Sequence, residues 1–328
     1  MHNLVALDSP GQRLRNSLNG RDIMPFIGVY DVFSASLAAK HFDGLFVSGF
    51  SFAASHYGLP DIGFIAWPDI VAFVQRLRSV LPEHHIIVDI DDGYCDVDVA
   101  CHVVAQLEAA GASGVIMEDQ ARPRKCGHFD GKQILDLESY LVKLDRVLGA
   151  RRDLMVIART DSSDPADIER RVRAFEAAGA DGILIDGVPS LAQITEVRRG
   201  INRPFAFNQI AGGKSPLCTL SELHEAGINI AIYSTPCLFA AQHAIVTAME
   251  SLQINDGLLI PDTDRPVTVQ SCTSVLADNF KRGMERRRRV HRPDGSRTST
   301  PAHAPSAGST GTVPRWPSAG QTLHRRQV

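Results

Sequence analysis

Between residues 23 and 250, short apolar runs alternate with amphipathic stretches, and this alternation restricts the fold of the 328-residue chain more than anything else in it. The runs are Pro25 to Val29, Gly44 to Val47, His85 to Ile90, Gly114 to Met117, Leu154 to Ala158, Gly182 to Ile185, Pro204 to Phe207 and Ile228 to Ile232. Each has strand length and is mostly apolar, which suits strands of a parallel sheet. Helical periodicity predicts helices over Val32 to His41, Trp67 to Val80, Val97 to Ala110, Leu137 to Gly149, Pro165 to Ala178, Leu191 to Arg198, Thr219 to Glu225 and Pro236 to Leu252. Eight strands each followed by a helix give the count of a (β/α)8, or TIM, barrel, which reaches roughly 250 residues as one domain. A doubly wound sheet could use the same alternation, and the chemistry at the strand ends decides between them. The Ala-Gly-Ala at 110–112 and 178–180 is architectural, ending a helix and turning tightly into the next strand.

In a barrel the reactive side chains sit where the strands end. The third run leads into Asp89-Ile-Asp91-Asp-Gly-Tyr94, the fourth into Glu118-Asp-Gln120 and the fifth into Arg159-Thr-Asp161, while Asp186 and Asn208 end the sixth and seventh. Asp89 and Asp91 are two apart, so on an extended chain both point to one side of the sheet, and Glu118 ends the next strand. An isolated Asp-Asp-Gly is a turn and an isolated Glu-Asp a helix start. Repeated at successive strand ends, they form a carboxylate cluster that a hard divalent cation would convert from mutual repulsion into a binding site; Mg²⁺ is the economical choice, with Mn²⁺ an alternative.

A second feature follows the fourth run, at Arg122-Pro-Arg-Lys-Cys-Gly-His-Phe-Asp-Gly-Lys132. Cys126, with Arg124 and Lys125 before it and Gly127 and His128 after it, has an electropositive setting expected to depress a thiol pKa. It is the candidate acid, base or nucleophile, with Lys125 and His128 as candidate catalytic neighbours. Cys95, Cys101, Cys218, Cys237 and Cys272 read instead as small buried hydrophobes.

These residues resemble the isocitrate lyase and phosphoenolpyruvate mutase superfamily, within it the 2-methylisocitrate lyase-like and phosphonomutase-like members. The resemblance runs from about Asp31 to Leu252 and rests on Ser48-Gly49, Gly58-Leu-Pro-Asp61, Asp89 to Tyr94, Glu118 to Gln120, Lys125 to His128 with Gly131-Lys132, Ala158 to Asp161, and Asn208. It implies a barrel whose eighth helix is swapped between subunits, assembled as a dimer or a dimer of dimers. It implies a Mg²⁺ shell of Asp61, Asp89, Asp91 and Glu118, and backbone donors for a substrate carboxylate at Ser48 and Gly49. Arg159 is then the cation beside the oxyacid, Asp186 and Asn208 are substrate contacts, and Cys126 is the catalytic cysteine of a gating loop. The implied reaction is Mg²⁺-dependent carbon–carbon cleavage of a malate-like or isocitrate-like 2-hydroxy diacid to an α-keto acid and a carboxylate. Phosphonomutase chemistry on a pyruvate enolate, and a catalytically silent barrel acting as a binding protein, are the alternatives. Asp186 stands where the lyases usually carry a Glu, and Phe46 where a Tyr is common. Recognition of the substrate side chain is expected at Tyr233-Ser-Thr-Pro-Cys237 on the barrel rim.

Composition removes other classes. No run approaches the roughly 18 apolar residues a membrane span needs, and Met1 to Asp22 lacks the apolar stretch of a secretory signal, so a cytoplasmic location is expected. Six cysteines without a CxxC spacing point to reduced thiols. The net charge of −3 conceals nine arginines against one acid from residue 286 onward, in a stretch with five prolines and few large apolar side chains. The expected division is therefore an N-terminal segment at 1–22, a barrel with C-terminal helices at 23–285, including a last helix at Ser274 to Met284, and a disordered basic tail at 286–328. Arg286 to Arg289 lacks interleaved aromatics and is expected to be solvated, with no nucleic-acid or membrane partner. Residues 253–284 are expected to lie partly against a neighbouring subunit.

Overall fold

The structure, a computed structural model, describes residues 8–94, 96–261 and 266–290. Eight parallel strands close into a barrel in sequence order: β1 (Met24–Val29), β2 (Gly44–Val47), β3 (His85–Asp89), β4 (Gly114–Glu118), β5 (Met155–Thr160), β6 (Gly182–Ile185), β7 (Phe205–Gln209) and β8 (Ile230–Tyr233), with β8 pairing back onto β1. Every run expected to be a strand is one, within two residues at each end.

Period-two alternation sorts each strand into a face toward the helices and a face toward the barrel axis. Phe26, Phe46, Ile87, Ile116, Met155, Ile157, Leu184, Ala206, Ile230 and Ile232 form one buried cluster, distinct from the larger cluster between strands and helices. Two residues further along the same faces come Ser48, Asp89, Glu118, Arg159, Asp186, Asn208 and Ser234. The apolar plug thus carries a polar layer at the C-terminal mouth, built by the same alternation.

The surrounding helices are α1 (Pro10–Asn19), α2 (Val32–Ala38), α3 (Gly49–Phe52), α4 (Trp67–Val80), α5 (Val97–Ala110), α6 (Leu137–Ala150), α7 (Pro165–Ala178), α8 (Leu191–Val197), α9 (Leu220–Glu225), α10 (Pro236–Ile254) and α11 (Val269–Val290). Two helical pieces were not expected. After β2, α3 runs straight into a π-helical turn, Ala53–Tyr57, which closes on Gly58 with φ +62° and leads to Asp61. The other is α1, capped by the Ser9 hydroxyl and started by Pro10. Its Leu14 and Leu18 pack into the axial cluster, so this helix plugs the N-terminal end of the barrel. Of the 1–22 segment, the helix at 10–19 is therefore part of the barrel; its two inward leucines, four apart, were hidden by a polar composition.

The last helix starts five residues before the expected Ser274 and continues to Val290, so the boundary placed after residue 285 falls inside a helix. It docks on its own barrel rather than on a neighbour alone: Val275 is buried, Asn279 donates to Ser36 Oγ at 2.8 Å and Arg282 to the Val80 carbonyl at 3.0 Å. Residues 291–328, the rest of the basic tail, lie outside the described residues.

If α1 is a structural plug, Leu14→Ala should cost about 2–5 kcal/mol, the range for a fully buried leucine. Urea unfolding measures this, and a loss below about 1 kcal/mol would make α1 an appendage.

Candidate active site

The mouth of the barrel gathers most of the residues singled out from the sequence. A small internal cavity is lined by Ser48, Phe50, Asp61, Asp89, Arg124, Cys126, Gly127, His128, Arg159, Asp186, Asn208, Ile210 and Ser234. Asp89 reaches it as the last residue of β3. Asp91 does not line it and is brought beside Arg124 by a different route from the extended chain expected: its backbone takes φ +53°, a left-handed turn that aspartate tolerates better than most residues, and its amide donates to Asp89 Oδ1 at 3.1 Å. Asp92 and Asp119, the other acids of these strand ends, point elsewhere, to Arg122 and Arg171.

The carboxylates converge on one guanidinium. Arg124, 1% exposed, pairs with Asp61 Oδ1 at 2.5 Å, Glu118 Oε1 at 2.9 Å and Asp91 Oδ1 at 3.2 Å. Arg159 pairs with Asp161 at 2.9 Å, Asp186 at 2.8 Å and Glu118 Oε2 at 3.2 Å, and Lys132 adds a contact to Asp161 at 2.6 Å. Burial pushes Glu118 up to about 7 against the pull of Arg159 and Arg124, and raises Asp89 and, more strongly, Asp91. For Asp161 burial acts the same way, but Arg159 and Lys132 outweigh it and hold the carboxyl at about 2.

The donor set suits a hard divalent cation, being all carboxylate oxygen. Two of these oxygens, Asp91 Oδ1 and Glu118 Oε2, are buried without a hydrogen bond, held only by the charge of a nearby guanidinium. As they stand with Arg124 between them, no three acidic, imidazole or thiol side chains among the described residues converge closely enough to hold a metal ion. The residues therefore fit the group in chemistry and burial, and the fit requires Arg124 to yield space.

Cys126 faces the same cavity, but its thiol is not activated. Burial pushes its pKa up to about 11, so the group is a thiol at neutral pH. The expected depression fails because its two basic neighbours turn away from it: Arg124 inward to the carboxylates, and Lys125 outward, its ammonium on the Asp130 carbonyl at 3.3 Å. Lys125 is accordingly not brought into the site. His128 is: Nδ1 accepts the Lys214 amide at 2.9 Å, which leaves the proton of the neutral ring on Nε2, 3.3 Å from Asn208 Nδ2 and 3.7 Å from Asp186. Burial lowers its pKa and keeps it neutral.

The loop lies tightly on the site. A β-carbon on Gly127 would overlap Asp186 Oδ2 and the Arg159 guanidinium, so only glycine allows this approach. Lys132 donates to the Gly127 carbonyl at 2.6 Å, and Gln120 clasps the Lys125 backbone through both amide atoms at 2.8 and 2.9 Å. The cavity beneath measures about 20 Å³, room for about one water. Outside the loop a larger hollow of about 560 Å³, lined by Phe129 to Lys132, Asp161, Ser162, Asp186 and Lys214, opens to the surface. Sequence reading passed over Arg124, which it treated only as a neighbour of Cys126, and over Asp161, Lys132 and Ser234 as side chains of the site; Ser234 donates to Asn208 Oδ1 at 2.6 Å.

The fold is shared with known proteins. Residues 14–253 match the family described as phosphoenolpyruvate phosphomutase. A 2-methylisocitrate lyase of Aeropyrum pernix is 33% identical over 250 residues, 75% of this chain and 80% of that protein. The crystal structure of 2,3-dimethylmalate lyase, a PEP mutase/isocitrate lyase superfamily member, superposes with a TM-score of 0.78 at 28% identity, covering 87% of this chain and 96% of that one. Phosphonopyruvate hydrolase in complex with oxalate and Mg²⁺ superposes with a TM-score of 0.73 at 25% identity, covering 85% and 99%. On the extent of these matches, the chain belongs to the phosphoenolpyruvate phosphomutase family of the PEP mutase/isocitrate lyase superfamily.

Proposed function

We propose that this protein is a divalent-metal-dependent carbon–carbon lyase that cleaves a substituted malate-like 2-hydroxy diacid to an α-keto acid and a carboxylate. The observation that carries the reading is a buried, protonated thiol, Cys126, facing the same small cavity as Asp61 and Asp89 of the carboxylate cluster. Asp61, Asp89, Asp91 and Glu118 would hold Mg²⁺ or Mn²⁺. Bound there, the ion would acidify the substrate hydroxyl and offset the charge of the oxyacid.

The rest falls to the chain itself. Ser48 and Gly49, at the start of α3, offer backbone amides to a substrate carboxylate, and Arg159 supplies a fixed positive charge beside the oxyacid. Asp186 and Asn208, tied together at 3.2 Å, and the neutral His128 border the same space and orient the second carboxylate. When the hydroxyl proton passes to a carboxylate of the cluster, the oxygen's electrons form the keto C=O and those of the carbon–carbon bond pass to the departing fragment as a carboxylate-stabilised carbanion. A thiol with a pKa near 11 is matched to protonate it, and a loop that leaves no room for bulk water keeps that proton transfer to Cys126. A cavity of one water's size also means that the loop moves for each diacid to enter.

A second copy of the chain belongs to this reading. The 19-residue α10, the helix after β8, has no buried residue although it is apolar, and Ile245, Val246 and Met249 are about half exposed or more. Exchange of this helix between subunits would cover that face. No helix among the described residues is long and apolar enough to cross a membrane, and a cytoplasmic location is part of the same proposal.

Cys126→Ser should bind the diacid with little change and lose at least about two orders of magnitude in kcat, the usual weight of a positioned acid. Product analysis in the same assay decides the reaction class, since a lyase releases two carbon fragments and a phosphonomutase one isomer.

Treatment with EDTA should abolish turnover, and Mg²⁺ or Mn²⁺ should restore it. Full activity in metal-free buffer would exclude this mechanism.

Met249→Glu should shift the mass measured by light scattering from an oligomer toward the monomer, because the charge would have to be buried in the exchanged-helix interface. An unchanged mass would place the subunit contact elsewhere.

A further inference from the structure

Arg124 has an unusual position for a side chain on a surface loop. Its guanidinium is 1% exposed and sits among three carboxylates supplied by separate segments: Asp61 from the turn after α3, Asp91 beyond β3 and Glu118 at the end of β4. A planar fork cannot meet three carboxylates equally well. It makes directed hydrogen bonds to Asp61 and Glu118, and leaves Asp91 Oδ1 and Glu118 Oε2 buried without one. A spherical ion carrying twice the charge would suit those oxygens better, and a guanidinium beside it would be repelled at close range in a poorly screened site. In the arrangement seen, the guanidinium takes the place among Asp61, Asp91 and Glu118, and no three acidic, imidazole or thiol side chains among the described residues converge to hold an ion.

Resting on the reading of this cluster as the metal site, we propose that Arg124 is its resident counter-ion in the metal-free protein, and that a divalent cation binds by displacing the guanidinium, which unlatches the loop carrying Cys126. Arg124 lies two residues before Cys126 on the strap between Gln120 and Lys132. Its ion pairs are the most deeply buried fastening of that strap, which is also held by hydrogen bonds from Gln120 and Lys132 to the backbone of Lys125 and Gly127, by the Lys132–Asp161 and Arg122–Asp92 ion pairs, and by Lys214 on His128, Phe129 and Asp130. Metal loading and substrate entry are thereby coupled: the protein is shut while its own cation fills the cluster, and it opens to the diacid once the metal has arrived. The loop then recloses over the substrate with the guanidinium in a different place.

The test uses Mn²⁺ alone, without substrate, on chelator-treated full-length protein. Calorimetric titration should show Mn²⁺ binding to Arg124→Ala at least about tenfold tighter than to wild type, since the competing charge is gone, with Arg124→Lys in between. In wild type, Mn²⁺ should raise the rate of iodoacetamide modification of Cys126, followed by peptide mapping, several-fold. In Arg124→Ala that rate should be high with and without the ion. If Arg124→Ala does not fold, the Lys variant and the wild-type labelling still decide the matter. Equal or weaker Mn²⁺ binding in the variants, or slower Cys126 labelling when Mn²⁺ is added, overturns the proposal and makes Arg124 a partner of the metal. Tight binding with unchanged labelling overturns the displacement while leaving the metal site intact, whereas absence of binding in every variant overturns both. None of these readouts depends on finding the substrate.

Discussion

Two guanidinium groups hold the mouth of this barrel together. Asp61, Asp89, Asp91, Glu118, Asp161 and Asp186 are six carboxyl groups gathered at the strand ends, and Arg124, Arg159 and Lys132 are the three cations set against them. With all six ionised the balance would be negative by three, in surroundings where charge is poorly screened. The protein resolves this unevenly. Asp161, between Arg159 and Lys132, is ionised well below neutral pH, whereas Glu118, Asp89 and Asp91 are pushed upward by burial. The side of the cavity around Arg159 is thus already neutralised, and the side around Arg124 is short of positive charge. That asymmetry fixes where a further cation would be taken up and where a substrate anion would meet a standing positive charge.

The barrel makes such a concentration of charge possible. Below the polar layer lies an apolar one, Phe46, Ile87, Ile116, Ile157 and Leu184 among it, continuous with the leucines of α1. Every strand but β1, where Gly28 follows Phe26, contributes to both layers through the same two-residue step, so the side chains of the site are fixed by backbone hydrogen bonds along the sheet. Glu118 and Arg159, for example, are paired positions on β4 and β5. The loops supply what the strands cannot: Asp61 through the π-helical turn, Asp91 through a left-handed residue, and Arg124 and Cys126 through the strap after β4.

What could be read in the sequence follows the same division. Asp89, Glu118, Arg159, Asp186 and Asn208 were legible because they sit at strand ends, where local periodicity determines direction. The strap was legible in its residue types and not in its directions. Reading along the chain put Arg124 and Lys125 beside the Cys126 thiol and so implied a depressed pKa, yet the two side chains diverge and the thiol is governed by burial instead. Arg124 could have been suspected on charge alone, since carboxylates ending neighbouring strands require a buried counter-charge and the nearest arginines in sequence are the ones to examine. The α1 plug was hidden for a different reason: a helix that closes a barrel needs only one or two apolar side chains, and Ser9-Pro10 followed by Leu14 and Leu18 was all the signal it gave.

The strap also joins two requirements that are otherwise opposed. Protonating a carbanion calls for a thiol that stays protonated, which burial provides, but a thiol buried under a closed loop cannot be reached by a diacid through a cavity of about 20 Å³. A loop held only by hydrogen bonds to its own backbone would open at random and admit water with the substrate. Anchored by ion pairs to buried carboxylates, the loop opens at a cost that depends on what else those carboxylates can bind, and its position becomes a function of the contents of the site. Gly127 completes the arrangement. It is the one residue type that lets the strap lie against Asp186 and Arg159, so this close packing is written into the same few residues that carry the Arg124 guanidinium and the Cys126 thiol.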